Sequence, residues 1–191
     1  MNWTKETLEE YLKEKQERSV HPNEYLLMIK HIQQIRPKIL IDIGTYLGAS
    51  GFILGTCCDS IEKVYSIDNI HSQSYTPKDE APIEEHGKFL PEDAIFLKNG
   101  YETDLPVIAK EIEPKEAFIF LDAGKNTLKV VHQLRMIEDL GFPYVAVHDS
   151  GHIQRSVQRA IKHLEKEGLI EIIDEDLVSS PKKGVSVLKI H

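Results

Sequence analysis

Only two of the 191 residues are cysteine, Cys57 and Cys58, and they are neighbours in the chain. Such a pair builds no disulfide framework and is too small a ligand set for a structural metal site. They read as small apolar residues closing a helix. Long hydrophobic runs are also missing: no stretch of about 18 apolar residues occurs, so no membrane-spanning helix is expected. The opening residues, Met-Asn-Trp-Thr-Lys-Glu-Thr, are too polar for a secretory leader, which makes a cytoplasmic location the expectation. Positive charge is scarce, with 23 Lys and Arg against 31 Asp and Glu and a formal charge of −8. Without a basic tract to neutralise phosphates, nucleic acid is not an expected partner. Arg155, Arg159 and Lys162 form the most basic stretch and read as a solvated helix face. Internal repeats and low-complexity tracts are absent. What remains is a chain 41% hydrophobic and 28% charged, enough for one soluble domain with a sizeable core.

Helical periodicity appears first. Thr4 to Arg18 carries Leu8, Tyr11 and Leu12 on one face, and Pro22 to Ile35 carries Tyr25, Leu26, Ile29, Ile32 and Ile35 before Pro37 stops it. These two helices make residues 1–36 an N-terminal extension ahead of a domain at 37–191. Covering a sheet edge, lidding a site and pairing two copies into a homodimer are all open roles for them. Trp3 and Tyr25 read as ordinary contacts of these helices.

Short apolar runs follow, alternating with helical patterns. Predicted strands are Ile39 to Ile43, Lys63 to Asn69, Ala94 to Gly100, Ala117 to Asp122, Tyr144 to Asp149, Leu169 to Asp174 and Val185 to Ile190. Predicted helices between them cover Ala49 to Thr56, Ala81 to Leu90, Asp104 to Glu111, Asn126 to Leu140 and Ile153 to Lys166. The Asn126 helix is expected to bury Leu128, Val131, Leu134, Ile137 and Leu140. His71 to Pro82 reads as an irregular loop, and Ser179 to Gly184 as a hairpin connection. The fold class is α/β: a Rossmann-like, doubly wound seven-stranded sheet, mostly parallel with an antiparallel last strand, and helices on both faces.

In such sheets ligands bind beyond the carboxyl ends of the strands. Four predicted strands deliver acids or glycines there: Asp42 with Gly44, Asp68, Asp122, and His148-Asp149. The first turn reads Gly44-Thr-Tyr-Leu-Gly48 and lacks the middle glycine of G-x-G-x-x-G, the one that lets a pyrophosphate approach the backbone. A nucleoside-type ligand without phosphates fits better, with Asp68, about 20 residues on, as its ribose partner. His148 has the ordinary pKa of a general base, and a partly buried histidine bonded to a loop is the plainer role for it.

The pattern resembles the class I S-adenosylmethionine-dependent methyltransferases across residues 22–190. Asp42-Ile-Gly-Thr-Tyr-Leu-Gly48 is similar to their first motif, an acid-x-Gly-x-x-x-Gly turn along the methionine part of the cofactor. The resemblance implies that Asp42, Gly44, Thr45, Tyr46 and Gly48 border S-adenosylmethionine and that Asp68 and Asn69 meet its ribose. Asn99, Gly100 and Tyr101 fall where that family borders the adenine, and Asp122 falls beside the cofactor as well. Phe118-Ile-Phe-Leu-Asp-Ala-Gly-Lys125 is similar to the strand end of metal-dependent small-molecule O-methyltransferases of the caffeoyl-CoA and catechol type. By that likeness Asp122 and Asp149 are ligands for Mg²⁺ or another divalent cation, with Ser150 at the position of a further, asparagine ligand. Lys125 would act near the acceptor hydroxyl, and His148 and Asp149 join Asp122 and Lys125 as catalytic candidates. Gly124 stands where that type has a second aspartate. The His148-Asp149 ending resembles a different branch, which includes cephalosporin-hydroxylase-like proteins. His71 and His152 are weaker candidates for the acceptor side.

The implied function is methyl transfer from S-adenosylmethionine to an oxygen of a small molecule. A hydroxylase-like enzyme on the same fold, or a cofactor-binding domain without catalysis, is the alternative.

Overall fold

The computed structural model describes residues 1–15, 20–69, 83–122, 126–151, 155–177 and 184–191. Among them run α1 (Lys5–Glu14), α2 (Pro22–Ile35), β1 (Ile39–Ile43), α3 (Ala49–Thr56), β2 (Lys63–Ile67), β3 (Ile95–Leu97) and α4 (Tyr101–Glu111). They continue with β4 (Ala117–Leu121), α5 (Thr127–Asp139), β5 (Tyr144–His148), α6 (Arg155–Lys166), β6 (Ile170–Asp176) and β7 (Val185–Ile190). The strands form one seven-stranded sheet in the order β3-β2-β1-β4-β5-β7-β6. Pairings among β3, β2, β1, β4 and β5 are parallel, and β7 runs antiparallel to both of its neighbours. The expected doubly wound sheet with a reversed last strand is therefore what the chain forms. Strand order reverses between β1 and β4, so a crevice opens at their carboxyl ends.

Alternation along each strand divides the core in two. Ile39, Ile41 and Ile43 of β1, Ile119 and Leu121 of β4, and Val145 and Val147 of β5 pack against α4, α5 and α6. Leu40, Phe118, Phe120 and Ala146, on the other face, join Leu8, Leu12, Tyr25, Met28, Ile29, Ile32, Ile53 and Leu54 from α1, α2 and α3. The two N-terminal helices thus share a core with the sheet. Trp3 closes this side edge-on to Tyr11 and Phe52, with its ring N–H donated to Thr56 Oγ1 at 3.2 Å. Because side chains alternate with period two, Asp42, Asp122 and His148 fall on this same α1–α3 face at the strand ends.

Three expectations shift. Among the described residues of the predicted Ala81–Leu90 helix, only the three-residue turn Ile83–Glu85 is helical, as a 3₁₀ turn. Gly87 takes φ 77°, and the amides of Gly87 and Phe89 bond Tyr46 O at 2.7 Å and Leu47 O at 2.9 Å instead of their own preceding turn. Helix α4 starts at Tyr101 rather than Asp104, because the buried Asp104 carboxylate accepts from Asn99 N at 2.9 Å and fixes the entry from inside. Leu128 is 79% exposed, while Val130, Gln133, Leu134 and Ile137 form the buried face of α5. Steps of three residues drift about 60° around a helix, so a stripe begun at Leu128 leaves the face that Leu134 and Ile137 occupy.

Gly184 closes the return into β7. At φ 98° a Cβ there would lie 2.9 Å from Asp176 O and from both N and Cα of Gly151. All of these are backbone atoms with little room to yield. We expect Gly184→Ala to lower stability by about 3 kcal/mol, as measured by urea unfolding.

Candidate functional site

The β1–α3 turn is built by positive-φ backbone: Gly44 at 95°, Tyr46 at 50° and Gly48 at 91°. Glycine tolerates this region, and Tyr46 is held in it by donating its amide to Asp68 Oδ2 at 3.1 Å. Gly48 serves packing: a Cβ there would lie 2.8 Å from Leu90 Cγ and 2.9 Å from Leu90 N. The segment around His86 to Leu90 therefore lies over this turn. Thr45 is buried, its hydroxyl bonded to Ser66 Oγ and Ile67 O, so it braces the turn from beneath.

Asp68 follows the last residue of β2 with its side chain 17% exposed. Oδ1 accepts from Asn69 N at 2.8 Å, and Oδ2 takes Tyr46 N and faces His86 Nδ1 at 3.1 Å. A carboxylate offers about four acceptor positions. One on Oδ1 is left, and a diol gripping both oxygens displaces His86 from Oδ2. The ring of Tyr46 meets His86 edge-on at 5.4 Å. Across from Asp68, Asn69 and Asn99 pair through an isolated bridge, and at Gly100 (φ 89°) a Cβ would lie 3.2 Å from the Asn69 side chain. The predicted ribose and adenine positions are adjacent in space. Tyr101 is the exception in this group: its ring is buried in the core, and its hydroxyl donates to Glu102 at 2.9 Å. Burial and that glutamate hold the phenol well above its ordinary pKa.

Asp42 is fully buried, and Ser50 Oγ donates to its two oxygens at 3.1 and 3.0 Å, with Ser66 Oγ at 3.4 Å. Burial raises its pKa to about 7, with Asp122 and Asp68 adding repulsion that the two serine hydroxyls only partly offset. A folded-state pKa above the ordinary carboxyl value stabilises the fold at low pH, and that contribution is lost as pH rises to about 7. At about 1.4 kcal/mol per pKa unit, Asp42→Asn is expected to gain about 2–3 kcal/mol over the unsubstituted chain between pH 5 and pH 8. Urea unfolding at the two pH values checks this.

The densest chemistry lies at the ends of β4 and β5. His148 Nδ1 is 3.0 Å from Asp122 Oδ1 and 3.9 Å from Asp149 Oδ1, while Nε2 is 3.3 Å from Glu24 Oε2. These are ion-pair distances with the oxygens off the ring N–H directions, so neither nitrogen makes a well-directed hydrogen bond. Burial by itself would depress the imidazole, but the charges of Asp122, Glu24 and Asp149 outweigh it and raise its pKa to about 10. The three carboxyl groups around the ring favour its protonated form, so a cation binding at Nδ1 would have to displace the proton there. Asp149 sits at φ 59°, the second non-glycine residue of the site in the left-handed region, which points its short side chain at the cluster. Ser150, also predicted as a ligand, turns its hydroxyl to Ser186 at 2.9 Å, and Ser186 in turn donates to Glu175. Lys125, Gly124, His71 and His152 lie outside the described residues.

The donor atoms of Asp122, His148 and Asp149 all fall within 4.8 Å of one another. Octahedral ions with bonds of about 2.1 Å take neighbouring donors about 3 Å apart and opposite ones about 4 Å apart, so this set fits a divalent cation.

No family model matches the sequence, and no curated protein matches it. Solved structures do match its fold. An O-methyltransferase from Bacillus cereus, in complex with S-adenosylhomocysteine, superposes with a TM-score of 0.66 at 14% identity, over 90% of this chain and 82% of that one. TomG from Streptomyces achromogenes, an O-methyltransferase of tomaymycin synthesis bound to S-adenosylmethionine, gives 0.65 at 14% identity, over 90% and 81%. A Staphylococcus aureus protein assigned as a caffeoyl-CoA O-methyltransferase gives 0.65 at 14% identity, over 100% and 93%. The fold is that of the class I S-adenosylmethionine-dependent methyltransferases. Within this methyltransferase fold Asp42, Asp68, Asp122 and His148 converge on one edge. Four further residues carry no motif in the sequence: Glu24, Ser50, Ser66 and His86. Ser50 and Ser66 are ordinary polar residues of α3 and β2, His86 lies in a turn, and Glu24 has the spacing of a helix cap.

Proposed function

We propose that the protein transfers a methyl group from S-adenosylmethionine to an oxygen of a small molecule. The observation that carries this reading is the pairing, at the β1/β4 reversal, of a part-buried ribose-type acid just after β2 with the Asp122–His148–Asp149 cluster at the ends of β4 and β5. Asp68 takes the ribose hydroxyls, and the Gly44–Gly48 turn lies along the methionine part. Asn99 and Gly100 border the adenine. Methyl transfer is an in-line displacement: the acceptor oxygen forms the new C–O bond as the C–S bond breaks, and the sulfonium leaves as neutral thioether. The acceptor's hydroxyl proton must go to a base. Asp122, with 18% of its side chain exposed, is the member of the cluster open to the crevice, whereas Asp149 and Glu24 are 6% and 0% exposed. Asp122 therefore faces the acceptor, with His148 beside it.

Asp122, Asp149 and His148 Nδ1 are the groups that would hold a divalent cation. When bound, it supplies Lewis acidity toward the acceptor oxygen. The test is release of S-adenosylhomocysteine from S-adenosylmethionine over a panel of catechols, phenols and sugars, with and without Mg²⁺ or Mn²⁺. Acceptor-dependent release supports the reading. S-adenosylmethionine that binds but is never turned over by any acceptor would favour a non-catalytic cofactor-binding domain.

A further inference from the structure

Glu24 is 0% exposed, and a buried carboxylate is costly unless its oxygens are fully engaged. It sits in the first turn of α2, where Oε2 accepts from His21 N at 2.8 Å in a capping box. That bond alone needs no burial, since caps form readily at surfaces. The other contacts reach across the fold: Oε1 accepts from Gly184 N at 2.7 Å, and Oε2 lies 3.3 Å from His148 Nε2. Ser150 N donates to Gly184 O at 3.2 Å, so the same knot ties α2, the start of β7 and the end of β5 together. Phe120 packs tilted against the His148 ring at 6.1 Å and restricts its plane.

An imidazole has nitrogens on two sides. A carboxylate on one fixes the ring's orientation, keeps a proton on that nitrogen and turns the other toward the opposite partner. We propose that Glu24 is a positioning residue of the site: it holds His148 by Nε2 so that Nδ1 is presented between Asp122 and Asp149. Helix α2 is then part of the support of the reaction centre. This rests on the reading of Asp122, His148 and Asp149 as the cation-binding and acceptor side of a methyltransferase.

Glu24→Gln is the informative variant. Its amide oxygen can keep the Gly184 bond, while its NH₂ would face both Nε2 and the His21 N–H as a donor, so the ring is no longer held from that side. Three readouts on the full chain separate the cases: ¹⁵N shifts of the His148 ring, Mn²⁺ affinity by electron paramagnetic resonance, and S-adenosylhomocysteine affinity by calorimetry. In the unsubstituted, metal-free protein Nε2 is expected to be protonated. In Glu24→Gln the Nε2 resonance shifts as its carboxylate partner is lost, and Mn²⁺ affinity falls about 10–100-fold. S-adenosylhomocysteine affinity stays within about threefold, a pattern that general loosening of the fold would not give. Unchanged ring shifts and unchanged Mn²⁺ affinity in a folded Glu24→Gln protein overturn the proposal. So does an unprotonated Nε2 in the unsubstituted protein, which needs no variant to fold. If the unsubstituted protein fails to bind Mn²⁺, the cation reading falls, and the ring shifts alone decide the role of Glu24.

Discussion

Asp68→Ala is expected to weaken S-adenosylhomocysteine binding about 100-fold. Among the described residues the carboxylate is the only acid at the end of β2, and two hydroxyl donors to a charged acceptor are each worth about 1.5–3 kcal/mol. The substitution also removes Oδ2, which the Tyr46 amide and His86 share. Tyr46 loses the bond that holds it at φ 50°, so the turn beside the cofactor loosens and the binding loss is compounded. The sheet does not depend on this side chain, because Asp68 N bonds Leu97 O at 3.0 Å through backbone alone. Calorimetric titration with circular dichroism on the same samples checks both halves of the expectation.

Asp122→Asn is expected to separate cofactor binding from chemistry. Asp122 N is anchored to Ile43 O at 2.8 Å, a backbone bond the amide leaves intact, so S-adenosylhomocysteine affinity should change by less than about threefold. Turnover should fall about 1000-fold or more, since on the proposed reading Asp122 faces the acceptor and the variant removes its charge and its capacity to take a proton. Mn²⁺ affinity should drop about 100-fold with the loss of one anionic oxygen ligand. The His148 pKa gives an independent readout. Asp122 is the largest influence raising it, so its value of about 10 should move down in the variant, as followed by NMR titration. A loss of cofactor affinity as large as the loss of turnover would place Asp122 in the cofactor pocket instead.

Much of this arrangement is legible in the residues. Helices α2 and α3 and strands β1 and β7 occupy the ranges that their apolar patterns predict, because Pro37, Gly48 and Gly184 punctuate them sharply. The strand-end acids are legible too, since one alternation rule assigns Asp42, Asp122 and His148 to the same face. What was not legible depends on contacts between distant segments. Gly87 and Phe89 satisfy their amides on the β1–α3 turn, a choice no local pattern encodes. Gly48 looks like a glycine for ligand approach, yet Leu90 fills the space its missing Cβ leaves. Glu24 looks like a helix cap and is one, and its second role exists only because α2 lies across the ends of β5 and β7. The acid at Asp42 follows the motif, but its pKa depends on burial beneath Ser50 and Ser66, which appears only once α3 and β2 are in place.

The site thus has two halves with different demands. Asp68, Asn69, Asn99 and Gly100 form a neutral-to-acidic edge suited to hydroxyls and an adenine rim. Asp122, His148 and Asp149, backed by Glu24, concentrate carboxyl groups where a cationic methyl donor and a divalent ion would meet the acceptor. The most direct measurement is calorimetric titration of the unsubstituted protein with S-adenosylhomocysteine, repeated with Asp68→Ala. The account predicts saturable one-to-one binding that Asp68→Ala weakens about 100-fold while Asp122→Asn leaves it nearly unchanged. Absence of binding by the unsubstituted protein, or binding indifferent to Asp68, would contradict it.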